Sequence, residues 1–231
     1  MLKPSIAFQP IVCSDSGIRK AYEVLARFPG ANGQFEGPLG HVALGQWASL
    51  DLSIIEMLAT WVAMGNRLRH PLYINLSAET LSCDDSFEAW EEQYNSFQIY
   101  EKTPVMLEIN ESVHSDAVEK RWSRLTACGL GLALDDFGSK NASLERLKAY
   151  PWSACKFESQ SFQDADSQAA FCYARTNQMV SIVERIETAQ QATIATQAGV
   201  TLHQGFYYSP PQVVALDYAV TAPAVQLSEV V

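Results

Sequence analysis

Residues 130–143 read LGLALDDFGSKNAS. The stretch opens as a short apolar run and ends in two adjacent carboxylates, Asp135 and Asp136. It then passes through Phe137 and Gly138 into a polar loop. An apolar run of this length, closed by turn residues, reads as a buried strand. Ligands of α/β folds gather at the carboxyl ends of strands, so two acids there stand at the mouth of the fold. Neighbouring side chains of a regular strand point to opposite faces. For both acids to reach one site the strand must end or bend between them, and Gly138 permits such a turn. Acids this close repel each other unless a cation neutralises them, which reads as a divalent-metal site. Taken alone, the pair is better read as one acid capping the next helix beside a solvated one.

The same rhythm extends on both sides of this stretch. Residues 5–12 and 20–28 read as a hairpin joined by the turn CSDSG, with Glu23 inside the second strand, where a carboxylate needs a partner or a metal. A Gly/Pro-rich loop covers 28–40, and 42–67 is mostly helical with Asp51 or Ser53 as its cap. LYINLS is a strand ending at Asn75, and a helix covers 86–94. VMLEIN is a strand carrying Glu108 with Glu111 just beyond, and a helix over 115–127 stops at Gly129. After the central stretch come a helix over 143–149 and a strand over 152–157 containing Lys156. A helix over 167–177 and a strand over 179–183 follow, then Glu184 and Glu187. A helix from Thr188 to Gly199 leads to a last strand over 200–205 carrying Gln204. Pro210 and Pro211 open a C-terminal helix. Strand, polar residue, helix, repeated, implies a mostly parallel sheet with crossover helices. With this strand count the predicted fold is an α/β, (β/α)8 TIM-like barrel with one antiparallel strand from the N-terminal hairpin. It occupies 5–220 as a single domain, followed by a loose tail over 221–231.

Composition narrows the function classes. The 231 residues are 48% hydrophobic and 18% charged, enough for a sizeable core. The net charge of −10 and pI of about 4.8 argue against a general DNA- or RNA-binding surface. Five scattered cysteines without a CxxC fit free thiols in a reducing cytosol. The N-terminus lacks a signal-peptide core, and no apolar run approaches membrane-spanning length, so the expectation is a cytoplasmic protein with no membrane contact.

At the carboxyl ends of different strands the pattern collects Glu23, Asn75, Glu108, Asp135, Asp136, Lys156, Glu184, Glu187 and Gln204. Nearly all are oxygen donors, which suit Mg²⁺ or Mn²⁺. His41, His70, His114 and His203 show no zinc-ligand spacing. So many acids at one barrel mouth require cations. Two metals sharing a carboxylate can lower the pKa of a water and clamp an in-line phosphoryl transfer, and a lysine there can orient the water or neutralise developing charge.

The ordered set resembles the EAL-domain phosphodiesterases that hydrolyse cyclic di-GMP. Gln9-Pro10-Ile11-Val12 matches QPIV, and Glu23-Val24-Leu25 stands for Glu-Ala-Leu with Arg27 following. Asn75-Leu76-Ser77 matches NLS, and Glu108-Ile109-Asn110-Glu111 resembles ELTE. Asp135-Asp136-Phe137-Gly138 matches DDFG, Lys156 matches the lysine of KID, 184–188 resembles EGVET, and Gln204-Gly205 matches QG. The match runs from about Phe8 to Pro211.

The resemblance implies a stand-alone EAL domain that hydrolyses cyclic di-GMP to linear pGpG with two divalent metal ions, Mg²⁺ or Mn²⁺. It implies that Glu23, Asn75, Glu108 and Asp135 hold one metal, and Asp135, Asp136 and Glu184 the second. Lys156 binds or activates the water, Glu187 and Gln204 support that network, and Glu111 braces the loop after DDFG. Gln9, Leu25 and Arg27 face the substrate. A homodimer through 138–149 is implied as well. The departures are Val24, Lys140, Asn141, Glu158 and Arg185. The last replaces the glycine beside Glu184, placing bulk and positive charge there. These departures frame the alternative: a catalytically weak EAL domain acting as a cyclic di-GMP receptor or as an adaptor for protein partners.

Overall fold

The structure, a computed structural model, describes residues 3–67, 69–100, 102–110, 113–138 and 143–214. Strand β1 (Ser5–Cys13) turns back into β2 (Arg19–Pro29), whose end pairs with the short β3 (Phe35–Glu36). Helix α1 (Trp47–Ala63) leads to β4 (Leu72–Asn75). Helices α2 (Ala78–Ser82) and α3 (Asp84–Tyr100) lead to β5 (Val105–Ile109), and α4 (Ser115–Ala127) to β6 (Gly131–Phe137). Next come α5 (Leu144–Ala149), β7 (Ala154–Glu158), α6 (Ala165–Thr176), β8 (Val180–Glu184), α7 (Ala189–Gln197), β9 (Leu202–His203) and β10 (Gln212–Val213).

The strands close into a ring in the order β1, β2, β4, β5, β6, β7, β8, β9 and back to β1. Neighbours from β2 round to β9 run parallel, and β1 is antiparallel to both of its neighbours. This is the expected (β/α)8 barrel with one reversed strand. The hairpin causes the reversal: a tight turn can only return the chain antiparallel, whereas every later crossover carries a helix.

Each barrel strand is buried on both faces, and the period of two sorts its residues. Outward side chains such as Ile74, Leu107, Leu132, Leu134, Phe157 and Val183 pack under the helices. Inward ones form a small plug of Ile11, Ala21, Tyr73, Ala133, Ala154 and Ile182. The small alanines let the barrel close over this layer. The inward position two residues further toward the mouth is polar on strand after strand: Glu23 follows Ala21, Asn75 follows Tyr73, Asp135 follows Ala133, Lys156 follows Ala154 and Glu184 follows Ile182.

Two sequence expectations are corrected. Asp51 and Ser53 do not cap α1; both lie inside it. The cap comes from α2, where the Glu79 carboxylate accepts the backbone N–H groups of Gly45 at 2.7 Å and Trp47 at 2.8 Å. Asp51 returns the favour, accepting from Ser77 N at 2.9 Å, Ser77 Oγ at 2.6 Å and Thr80 Oγ1 at 2.6 Å. Burial raises the Asp51 carboxyl to about 6, against the hydrogen bonds from Ser77 and Thr80. Asp51→Ala leaves these buried donors without their acceptor and is expected to cost about 2 kcal/mol of unfolding free energy in a urea titration. Second, no helix follows Pro211 at once; residues 212 and 213 form β10, hydrogen-bonded antiparallel to β1 at Ala7 and Phe8. The tail over 221–231 lies outside the described residues.

Candidate active site and cation centre

All eight barrel strands send one polar side chain toward the same point above the apolar plug. They are Gln9 from β1, Glu23 from β2, Asn75 from β4, Glu108 from β5, Asp135 from β6, Lys156 from β7, Glu184 from β8 and Gln204 just past β9. Except for Asn75 these side chains are buried. All of them but Glu108 line a cavity of about 610 Å³, a size usual for small-molecule sites.

Lys156, 1% exposed, sits at the centre. Its Nζ lies 2.6 Å from Glu108 Oε1, 3.1 Å from Asp135 Oδ1, 3.1 Å from Glu184 Oε2 and 3.2 Å from Glu23 Oε2. Burial works against the ammonium, yet these four carboxylates hold its pKa well above the ordinary value. The charged, donating form is the one this surrounding favours. Gln204 Nε2 donates to Glu23 Oε2 at 2.5 Å and to Gln9 Oε1 at 3.2 Å. Asn75 Nδ2 donates to Glu23 Oε1 at 2.9 Å and to Glu108 Oε2 at 3.0 Å. Half a turn of that amide would present its oxygen instead.

One ammonium does not balance four carboxylates. Burial, with the charges of Glu184 and Glu23 added, raises Asp135 to about 7 despite Lys156. Burial raises Glu184 to about 7 in the same way, with Asp136 adding to it. Such carboxyls bind protons more tightly in the folded than in the unfolded chain. Their contribution to metal-free stability is therefore full below about pH 4 and is lost as the pH rises through about 7.

Asp135 and Asp136 do reach one site, and the turn begins before Gly138. The bend lies at Asp136 itself, whose φ of 56° is left-handed, and the β6–β7 register slips between Leu134 and Phe137. One carboxylate oxygen from each of Asp135, Asp136 and Glu184 can then lie within 4.8 Å of the others. Glu184 Oε1 and Gln204 Oε1 are buried without a hydrogen-bond partner among the described residues. Orphaned oxygens beside clustered carboxylates fit a hard divalent cation.

Of the remaining expected residues, Leu25, Arg27 and Glu187 line the cavity wall. Arg27 spends one N–H on the carbonyl of Ala26 at 2.8 Å. Glu187 is exposed and is not among the four acids around Lys156. Glu111, Lys140 and Asn141 lie outside the described residues, as does most of the loop in the expected dimer segment. The sequence reading missed the α1 wall, formed by Trp47, Leu50, Asp51 and Ile54, and Phe206 beyond Gln204. A usable signal existed: a helix that follows a β-to-α loop begins at the barrel mouth, so its first turns face the site.

The EAL-domain profile matches residues 3–211. This chain belongs to the EAL-domain family. Cyclic di-GMP phosphodiesterase PdeR of Escherichia coli is 28% identical over 184 residues, covering 74% of this chain but only 27% of PdeR. The chain thus spans about a quarter of that relative. Among solved structures, the PaMucR phosphodiesterase in complex with cyclic di-GMP superposes with a TM-score of 0.73 at 23% identity, covering 90% of this chain and 92% of that one. The manganese and cyclic di-GMP complex of Klebsiella pneumoniae BlrP1 gives 0.74 at 22% identity, covering 91% and 56%. At these identities the superpositions speak for the EAL barrel as a fold. Among the described residues no helix is long and apolar enough to cross a membrane.

Proposed function

We propose that this EAL domain hydrolyses cyclic di-GMP to linear pGpG with the help of two divalent cations, Mg²⁺ or Mn²⁺. The observation that carries the reading is the convergence of eight strand ends on Lys156 and four buried carboxylates, with Asp136 added by its left-handed backbone. Glu23, Asn75, Glu108 and Asp135 would hold one cation, and Asp135, Asp136 and Glu184 the other. Bound there, the cations would supply a more acidic water and charge neutralisation at the phosphate. The protein's own part is positional. Lys156, charged and donor-only, orients the water and faces the charge that builds on the phosphoryl oxygens. Gln204, itself anchored on Gln9, holds Glu23 in place. In that step the water gives up a proton as its oxygen joins phosphorus, the phosphorus–O3′ bond breaks, and the leaving oxygen takes up a proton.

The test is incubation of the purified protein with cyclic di-GMP in Mg²⁺, in Mn²⁺ and in chelator, with chromatography of the products. Cation-dependent pGpG is the expected outcome. One observation favours the second reading, a catalytically weak cyclic di-GMP receptor or protein-binding adaptor: Arg185 already holds Asp136 at 2.7 Å. Nucleotide binding without product in saturating cation would select the receptor. A stable protein partner without nucleotide binding would select the adaptor.

A further inference from the structure

Arg185 follows Glu184 directly and has a φ of 55°, a left-handed backbone that costs a residue with a Cβ about 1 kcal/mol. Its surroundings explain why the conformation is held. Arg185 Nη2 lies 2.7 Å from Asp136 Oδ1, and Nη1 lies 2.6 Å from Glu158 Oε1. The backbone carbonyl accepts from Ser159 Oγ at 2.8 Å. Glu158 and Arg185 were separate departures in the sequence; in the fold they meet. The guanidinium thus bridges the last residue of β7 to the bent end of β6.

One end of that bridge is a member of the cation cluster. Asp136 brings its carboxylate to Asp135 and Glu184, yet one of its oxygens is engaged by Arg185. The arginine side chain is 59% exposed and can swing outward, while Asp136 is 23% exposed and fixed by its backbone.

We propose that Arg185 is a positioning residue that latches Asp136 and rivals the second divalent cation at the Asp135–Asp136–Glu184 cluster. The inference rests on the two-cation reading above and adds a condition to it: the second position fills only as the guanidinium releases Asp136. Two effects act in the same direction. The latch withholds a ligand oxygen, and its positive charge opposes an incoming divalent ion. A unit charge about 6 Å from a divalent ion, at an effective dielectric of about 40–80, shifts affinity by about ten- to a hundredfold. Arg185→Gly and Arg185→Asn both remove the charge, and both replacements suit a left-handed φ, so the fold is retained.

The experiment is Mn²⁺ titration of the metal-free wild type and both variants, reading free Mn²⁺ by electron paramagnetic resonance, with circular dichroism to confirm folding. The expected result is two Mn²⁺ per chain in every form, with the weaker dissociation constant reduced about tenfold or more in both variants. Two bound Mn²⁺ with an unchanged or weakened second constant would overturn the latch while leaving the cation reading intact. Absence of Mn²⁺ binding in all three proteins would overturn both.

Discussion

Replacing Lys156 with methionine is expected to abolish cyclic di-GMP turnover and, in chelator, to lower the unfolding free energy by about 3–5 kcal/mol. The two losses have different origins. On the proposed mechanism, turnover is lost because the donor that would face the water and phosphate is gone. Stability is lost because Glu23, Glu108, Asp135 and Glu184 all lie within 3.2 Å of the Lys156 ammonium and are themselves buried. Without it they face one another across a low-dielectric floor, and they relieve the repulsion only by taking up protons or by loosening the barrel mouth. Methionine keeps the stem's volume, so the cost is electrostatic and not a cavity. Mn²⁺ should therefore restore most of the stability and none of the turnover. Urea unfolding with and without Mn²⁺, beside the chromatographic assay, measures both. A variant as stable as wild type in chelator would show that the four carboxylates do not depend on the lysine.

How far the chain could be read without coordinates follows from which forces are local. The barrel was legible because both faces of its strands are buried and because each strand carries a polar residue near its end at the mouth. That pattern is written into LALDD, ACKFE and SIVE alike. Non-local partners were not legible. The cap of α1 is Glu79, more than thirty residues away in sequence from Gly45 and Trp47. The bend that delivers Asp136 was assigned to Gly138, since glycine is the residue that signals positive φ. The structure puts a left-handed φ at Asp136 as well as at Gly138. Gly138 continues the turn with its own positive φ, and a Cβ there would also collide with the Ser161 hydroxyl. The Pro210-Pro211 pair was read as a helix start because proline suits that position. Its continuation pairs with β1 instead, a contact across two hundred residues that no local signal announces. The meeting of Glu158 with Arg185 is of the same kind, since two adjacent strands bring together two departures that look unrelated in the sequence.

Gly205→Ala is expected to cost about 3 kcal/mol of stability or more, and to lower turnover by about a hundredfold in the protein that still folds. Gly205 has a φ of +155° and is wedged against the segment that joins β8 to α7. A Cβ at this position would fall within collision distance of the nitrogen, carbonyl carbon and carbonyl oxygen of Ile186, all backbone atoms that cannot rotate away. The same crossing is stitched by hydrogen bonds from Ile186 N to Gln204 O at 3.0 Å and from Tyr207 N to Ile186 O at 2.9 Å. Added bulk therefore has to part the end of β9 from the end of β8. Those ends carry Gln204 and Glu184, which close the charged floor from its last side. A shift of about 1 Å there breaks the Gln204–Glu23 hydrogen bond and moves a carboxylate of the proposed cation cluster, which is enough to remove most of a positioned reaction's rate. Thermal unfolding and the pGpG assay in saturating Mn²⁺ measure the two effects. Wild-type values of both would mean that the β8 and β9 ends tolerate separation, and that the glycine after Gln204 serves no purpose in holding the site.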